Sequence, residues 1–394
     1  SSSDLENNRN LTYDICIIGS GLSGQIVASK IKNKKIILID SGKIEFNKEV
    51  QNLNKLEMNG INFRKNFTNR VRQLGGSANM WANQLMFLDK HEIEERKWIS
   101  ENLSWPFSYN ELKKNYSETL NDIYGHTLDD PFKQVENNNF FSIIENQFLN
   151  EKNVLFARSM WPNKVEKFNF TSKFTQKILN DKNLDLISDF TATELKINED
   201  AQKLDKVIFQ SDNKTISVKA DTFVLACGAI ENARILLNNQ SKYKILINNN
   251  IGKYFMDHIN IDLGFLNTKK KLPLSILLGM KFRNYDLRKY LKITKEYQKE
   301  KGILSCHSCV DPVYDEKDEI LFHNFLKEIK KIIKFNGIPR IKFNEINIKK
   351  TLEQLYFKIP PQISNSLMNS LLRLVLGKKN NYLSFDKLKI IFQG

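Results

Sequence analysis

Cysteine is scarce in this chain of 394 residues, which holds only Cys16, Cys227, Cys306 and Cys309. Four thiols so unevenly spaced form no disulfide framework, and the stapled secreted miniprotein is excluded. Glycine, at 16 residues, is far too sparse for a collagen-like repeat. No window holds eighteen consecutive apolar residues, and the polar start Ser1 to Asn10 has no basic segment followed by an apolar one. Neither a membrane span nor a secretory signal is visible, so the chain reads as soluble and cytoplasmic, although a segment removed before Ser1 would leave no trace. A Gly-x-Ser-x-Gly elbow and a P-loop are also missing, which leaves hydrolase and phosphoryl-transfer chemistry without a nucleophile or a phosphate cradle. Apolar material is plentiful. With 41% hydrophobic and 27% charged residues, the chain is not intrinsically disordered, and its length fits two or three domains.

The formal net charge of +15 is unevenly placed. Residues 1–260 carry 34 Lys and Arg against 32 Asp and Glu, whereas residues 261–394 carry 26 against 13. The excess sits beside apolar residues at helical spacing. In Glu319 to Phe335, Phe322, Leu326, Ile329 and Ile333 fall near one face, and Lys327, Lys330, Lys331 and Lys334 take much of the rest. Ile363 to Lys379 is similar, with Leu367, Leu371 and Leu374 beside Arg373, Lys378 and Lys379. These read as surface helices with solvated lysines, weak membrane-surface association being the alternative. No reader motif accompanies the charge, so nucleic acid is not expected as a partner.

The opening sixty residues carry chemistry. Tyr13 to Ile18 is a short apolar, β-branched run of the kind that forms a buried parallel strand. It leads into Gly19-Ser20-Gly21-Leu22-Ser23-Gly24, which matches G-x-G-x-x-G, then a helix from Gln25 to Ile31 and a second strand from Ile36 to Ile39. Asp40 and Ser41 end that strand, twenty-one residues after Gly19, where an acid would hold a ribose hydroxyl. Gly19 allows a tight turn, Gly21 lets a pyrophosphate approach the backbone, and Gly24 permits close helix–strand packing, with the helix N-terminus offering free N–H groups. Strand, glycines, helix, strand and acid in this order predict a dinucleotide site. Asp40 alone does not separate NAD from FAD.

Arg72 to Leu85 holds Gly75-Gly76-Ser77 followed by Asn79, Met80 and Trp81, a loop whose N–H groups can press against an anionic or electron-rich ligand. Here the sequence resembles the glucose-methanol-choline oxidoreductases, flavoenzymes that bind FAD in a Rossmann-type domain and oxidise alcohols. The Trp-bearing loop is similar to that of the sugar-oxidising and bacterial dehydrogenase branches. Some relatives carry a flavin-linked histidine just before the tryptophan, and Met80 stands there, so the resemblance implies non-covalent FAD. Trp105-Pro106-Phe107-Ser108-Tyr109 resembles a family segment preceding a helix and is expected to serve only core packing. Leu184–Ile187, Thr191–Ile197, Val207–Gln210 and Thr215–Val218 predict a small β-meander, in which Ala192 falls where the family lays its backbone against the adenine. Phe223 to Ile230 is similar to the family's Leu-Ala-Ala-Gly-Ala strand, which implies that Ala226, Cys227 and Gly228 pass near the cofactor. Asn250 to His258 resembles its Gly-Arg-x-x-x-Asp-His segment.

The expected fold is α/β, with a discontinuous Rossmann-type FAD-binding domain (residues 11–103 and 154–262), a connecting or lid segment (104–153) and a second, α+β substrate domain (263–394) that is incomplete. The resemblance implies hydride transfer from the CH–OH group of an alcohol or sugar to flavin N5, with an external electron acceptor that the residues do not identify. The family's proton-accepting histidine comes from a C-terminal section with a His-x-x-Gly motif, and that section is not found here. His91, His126, His258, His307 and His323 all lie outside such a context, so the catalytic residues are unassigned and this chain alone is expected to be inactive. His258, beside Asp257, reads as a structural hydrogen-bonding residue. The preferred account is an N-terminal portion of a longer flavoenzyme, and the alternative is a non-catalytic flavin-binding scaffold. Cys306-x-x-Cys309 lacks the further ligands a tetrahedral metal needs and is expected as reduced thiols in a loop, so no metal site is expected.

Overall fold

The computed structural model describes residues 7–57, 59, 70–81, 83–94, 96–100, 104–124, 152–162, 172–212, 214–246, 248–256, 260–266, 280–282, 285–312 and 388–393. The basic segments 319–335 and 363–379, together with Asp257, His126, His258 and His323, lie outside the described residues. Two units are present, one comprising Ser1–Asn83, Glu118–Thr127 and Glu166–Met256, the other Gln84–Ser117, Leu128–Val165 and Asp257–Gly394. The boundaries expected from sequence differ from this division. Residues 84–103 and 154–162 group with the second unit, the latter because strand β3 (Val154–Pro162) pairs antiparallel with a strand of that unit's sheet.

The first unit is built on β1 (Arg9–Ile18), α1 (Leu22–Lys30) and β2 (Ile36–Ile39). Cys16 and Ile17 are fully buried, as are Ile37, Leu38 and Ile39, which is why these runs are continuously apolar rather than alternating. With β4 (Leu184–Ile187), β5 (Thr191–Asn198), β6 (Lys203–Ser211) and β7 (Lys214–Leu225), the sheet order is β4-β2-β1-β7-β6-β5. The first four strands are mutually parallel, in the arrangement of a Rossmann-type α/β fold, and β5 and β6 continue antiparallel. Two expectations are corrected. Leu184–Ile187 is not a meander strand: it pairs parallel with β2 from Leu184 opposite Ile36 to Ile187 opposite Ile39. Thr215–Val218 and Phe223–Leu225 are one strand, because β1 supplies a partner from Ile216 through Leu225. Helix α4 (Lys173–Leu179) precedes β4, and α5 (Ala229–Gln240) follows β7. Ile18, Ile39 and Ile187 from the parallel strands form one buried cluster with Leu195, Val207, Phe209 and Val218.

The second unit is an antiparallel sheet in the order β3-β10-β11-β12-β8, where β8 is Asn260–Leu266, β10 Tyr285–Ile293, β11 His307–Pro312 and β12 Leu388–Gln393, and β9 (Met280–Phe282) pairs β10. Helix α3 (Tyr109–Tyr124) starts where Ser108 and Glu111 cap each other, Ser108 N–H donating to Glu111 Oε2 at 2.8 Å. The preceding Trp105 is 48% exposed, its ring tilted against Phe107, so this segment is not the core packing expected of it. Cys306 lies in the loop before β11, as expected, and is a free thiol, whereas Cys309 lies within β11.

Lys292 on β10 is buried between two carboxylates. Its ammonium lies 2.8 Å from Asp89 Oδ2 and 3.0 Å from Glu92 Oε1, at helix α2 (Lys90–Ile93), where Asp89 and Glu92 form a capping box. Burial pushes the Glu92 carboxyl up, but Lys292 and the Asp89 N–H hold it below the usual range, and Lys292 is raised in return. Glu92 therefore stabilises the fold above its unfolded value of 4.5 and loses that contribution as pH falls through its lower folded value. Lys292→Met is expected to cost about 3–5 kcal/mol, because it strands a buried carboxylate. Urea unfolding at neutral pH measures this. In the first unit, Phe209→Ala, which empties a fully buried position, is expected to cost about 3–5 kcal/mol in the same assay.

Candidate functional site

The site is at the carboxyl ends of β1, β2 and β7, on either side of the point where the parallel order reverses. Gly19 takes φ +104° and packs on the turn after β7: a Cβ there would lie 2.5 Å from the Ala226 carbonyl oxygen. At Gly24 a Cβ would lie 2.0 Å from the Gly19 carbonyl oxygen, so α1 can approach the turn only without a side chain. Gly21 differs. With φ −64° it needs no glycine conformation, yet a Cβ would meet nothing within 4 Å. It is the N-cap of α1, and no side chain caps that end. Gly228, N-cap of α5, is likewise open.

Asp40 is buried behind the turn. Its Oδ2 accepts from Ser20 N–H and Ser20 Oγ, each at 2.7 Å, and its Oδ1 accepts from Gly42 N–H at 2.7 Å. Burial pushes the carboxyl above the usual range, and these hydrogen bonds with the Arg72 guanidinium offset that only in part. Three of about four acceptor positions are filled, which leaves one lone pair on Oδ1. Phe190 N–H donates to the Asp40 carbonyl at 3.1 Å, which brings β5 and Ala192, two residues on, beside the end of β2.

The Gly75–Ser77 loop reaches this place by two ties. Gly75 N–H donates to Ser20 Oγ at 2.9 Å, and a Cβ on Gly76 would lie 3.2 Å from Gly21 Cα. Asn79 Nδ2 folds back onto the Leu74 carbonyl at 2.7 Å, Ala78 is buried, and Met80 is 66% exposed. Upstream, Arg72 spans three segments: Nη1 donates to Ser41 Oγ (2.8 Å), Nε to Asn54 Oδ1 (2.8 Å) and Nη2 to Glu231 Oε2 (2.7 Å). Glu231 also takes Arg70 Nη1 at 2.5 Å and Arg234 Nε at 2.8 Å. Burial pushes this carboxyl up, and the three guanidiniums more than reverse that, so it lies below the usual range. Cys227 lies in the same turn, its Sγ donating to the Ile18 carbonyl at 3.1 Å, and burial pushes its thiol up to about 12, which makes it a poor nucleophile.

Every cofactor-binding residue expected from sequence falls in the first unit. The structure joins Gly19–Gly24, Asp40, Ser41, Gly75, Gly76 and Ala226–Gly228 by the contacts above, whereas none of those contacts includes Ser77 or Trp81. Sequence reading missed the Arg70–Arg72–Glu231 network. A signal existed, since no Asp or Glu occurs between Glu57 and Asp89, so any of these arginines that is buried needs a partner from elsewhere in the chain. His91 and His307 lie in the second unit, His91 Nε2 3.2 Å from Gln298 Nε2 and the His307 ring edge-on to Tyr290. Among the described residues no helix is long and apolar enough to cross a membrane.

No protein-family model and no curated protein matches the chain. Among solved structures it is similar to pyridoxine 4-oxidase from Mesorbium loti, at 15% identity and TM-score 0.37 over 57% of this chain and 51% of that one. It is also similar to a formate oxidase at 13% identity and TM-score 0.43, over 99% of this chain and 73% of that one. A variant formate oxidase from Aspergillus oryzae gives 13% identity and TM-score 0.44 with the same coverage. The chain thus spans about half the length of the pyridoxine oxidase.

Glu231→Gln is expected to destabilise the first unit by about 3–5 kcal/mol, since three guanidiniums lose their shared carboxylate. Because the folded value of Glu231 is depressed, this contribution is complete above its unfolded value and lost on acidification, so wild type and variant should converge in stability at low pH. Thermal unfolding from pH 7 downwards checks both statements.

Proposed function

We propose that this chain binds FAD non-covalently at the Gly19–Gly24 turn and belongs to an oxidoreductase of the glucose-methanol-choline type acting on the CH–OH group of an alcohol or sugar. The observation that carries this is the contrast within the glycine turn: Gly24 is filled by its neighbours, while Gly21 faces open space at an uncapped helix N-terminus. A glycine with ordinary φ and open space where a Cβ would stand is accounted for by a ligand passing over its backbone. The residues fit the cofactor. The α1 N-terminus and Gly21 would hold the pyrophosphate, Asp40 Oδ1 a ribose hydroxyl, and the backbone near Ala192 the adenine, with Gly75–Ser77 and Ala226–Gly228 flanking the dinucleotide. FAD over NAD rests on the resemblance of the Gly75–Trp81 loop, and non-covalent attachment on Met80 at the position of the flavin-linked histidine.

Bound FAD would supply a hydride acceptor, and this chain's residues would bind and orient it. No catalytic base is assigned among the described residues, and residues 1–394 alone are expected to bind FAD weakly and to leave it oxidised when alcohols are added. The substrate would be a small alcohol or sugar, with no nucleic acid involved. Weak membrane-surface association through the basic segments is a secondary proposal.

Gly21→Ala and Gly24→Ala separate the two glycine roles. Gly21→Ala is expected to unfold within about 0.5 kcal/mol of wild type, because its φ suits alanine. It is expected to weaken FAD binding about tenfold or more by obstructing the backbone N–H groups. Gly24→Ala should lose fold and binding together. Flavin fluorescence titration and thermal unfolding measure the pair. A wild-type chain that takes up no FAD, or a Gly21→Ala chain that binds it equally well, would overturn the reading.

A further inference from the structure

Ser20 stands between the two glycines that shape the turn and is 1% exposed. Each of its polar groups is engaged. Its N–H and hydroxyl both donate to Asp40 Oδ2 at 2.7 Å, its Oγ accepts from Gly75 N–H at 2.9 Å, and its carbonyl accepts from Gln25 Nε2 at 2.8 Å. Gln25 Oε1 in turn accepts from Thr175 Oγ1 on α4, so the chain of bonds continues away from the site. A hydroxyl has one proton. The Gly75 N–H can only donate, so Ser20 Oγ accepts from it and the hydroxyl proton is left for Asp40 Oδ2. The amide thereby sets the direction of both bonds, and it meets an acceptor polarised by the Asp40 carboxyl group behind it.

The chain separation makes the tie informative. Gly75 lies 55 residues from Ser20, and the two are joined by this one side-chain bond together with the contact of Gly76 on Gly21. Arg72 anchors the beginning of the loop at Ser41 and Asn54, three residues before Gly75. Ser20 anchors the part whose Gly76 lies against the Gly21 backbone.

We propose that Ser20 is a positioning residue whose hydroxyl couples the Asp40 carboxyl group to the Gly75–Ser77 loop, holding the loop against the Gly21 backbone and so setting dinucleotide affinity. This rests on the FAD reading, with Ser20 acting through the loop and Asp40. Alanine at position 20 keeps the backbone bonds to Asp40 and Gln25 and removes only the relay.

The test uses the full chain as wild type, Ser20→Ala and Thr175→Val, the last breaking the same buried chain on the side away from Gly75. Hydrogen exchange of the peptide covering residues 72–80, read without ligand, reports the Gly75 tie, and flavin fluorescence titration reports FAD affinity. In Ser20→Ala the Gly75 amide is expected to exchange about tenfold faster and FAD to bind about tenfold more weakly. Thr175→Val is expected to leave both within about twofold of wild type, even where its Tm falls. Unchanged exchange in Ser20→Ala overturns the inference, and so does a loss of FAD affinity in Thr175→Val that matches Ser20→Ala at equal Tm. A wild type that takes up no FAD sinks the cofactor reading by itself, and the exchange experiment still decides whether Ser20 holds the loop.

Discussion

One carboxylate, Glu231, sits among three guanidiniums, and the assembly of the first unit's site follows from that contact. Arg70 and Arg72 lie in a stretch with no acid of its own, and Arg72 is 9% exposed. A guanidinium cannot shed its charge when buried, so it must be met by an anion or stay in water. Glu231, in the first turn of α5, meets both and takes Arg234 from its own helix as well. The loop that leads to Gly75 is thereby pinned to the helix that follows β7, and Arg72 carries the connection on to Ser41 at the end of β2. Three segments far apart in sequence meet at one end of the sheet because of this arrangement.

Once the segments are gathered, backbone shape decides what is filled and what stays open. Gly19 and Gly24 are glycines because other backbone atoms occupy the space a Cβ would need. Such contacts are about packing, and any protein with a tight strand–turn–helix junction could show them. Gly21 has no packing reason to be glycine, and an alanine there would reduce the entropy of the unfolded chain. Its open face lies at a helix N-terminus that no side chain caps. The FAD proposal rests on that difference more than on the G-x-G-x-x-G pattern, which does not distinguish the two kinds of glycine.

What the sequence reveals, and what it hides, follows from range. β1, α1, β2 and Asp40 are legible because strand, turn, helix and acid are local patterns whose physical reasons act within thirty residues. Leu184–Ile187 reads correctly as a strand and wrongly as part of a meander, because apolar runs reveal burial and not the partner, which here is β2 from the other end of the unit. The same limit divides β7 in two, since Ala220-Asp221-Thr222 interrupts the alternation while β1 continues to pair across it. The Asp40–Ser20–Gly75 relay and the Glu231 network were hidden for a related reason. Each residue type has an ordinary local reading, Ser20 as a turn residue and Glu231 as a helix-start acid, and only the fold reveals the second role.

Charge also separates the two units. At the first unit's site three guanidiniums, those of Arg70, Arg72 and Arg234, share one carboxylate, Glu231, in the first turn of α5. Around Lys292 the balance is reversed, one ammonium against Asp89 and Glu92. An anionic ligand lowers the cost of the first arrangement and raises that of the second. Asp40 is the apparent exception, a buried acid beside a proposed phosphate site, but its two oxygens face Ser20 and Gly42 rather than the open space over Gly21. Its charge is spent on the turn, so the helix N-terminus keeps its positive field for the ligand.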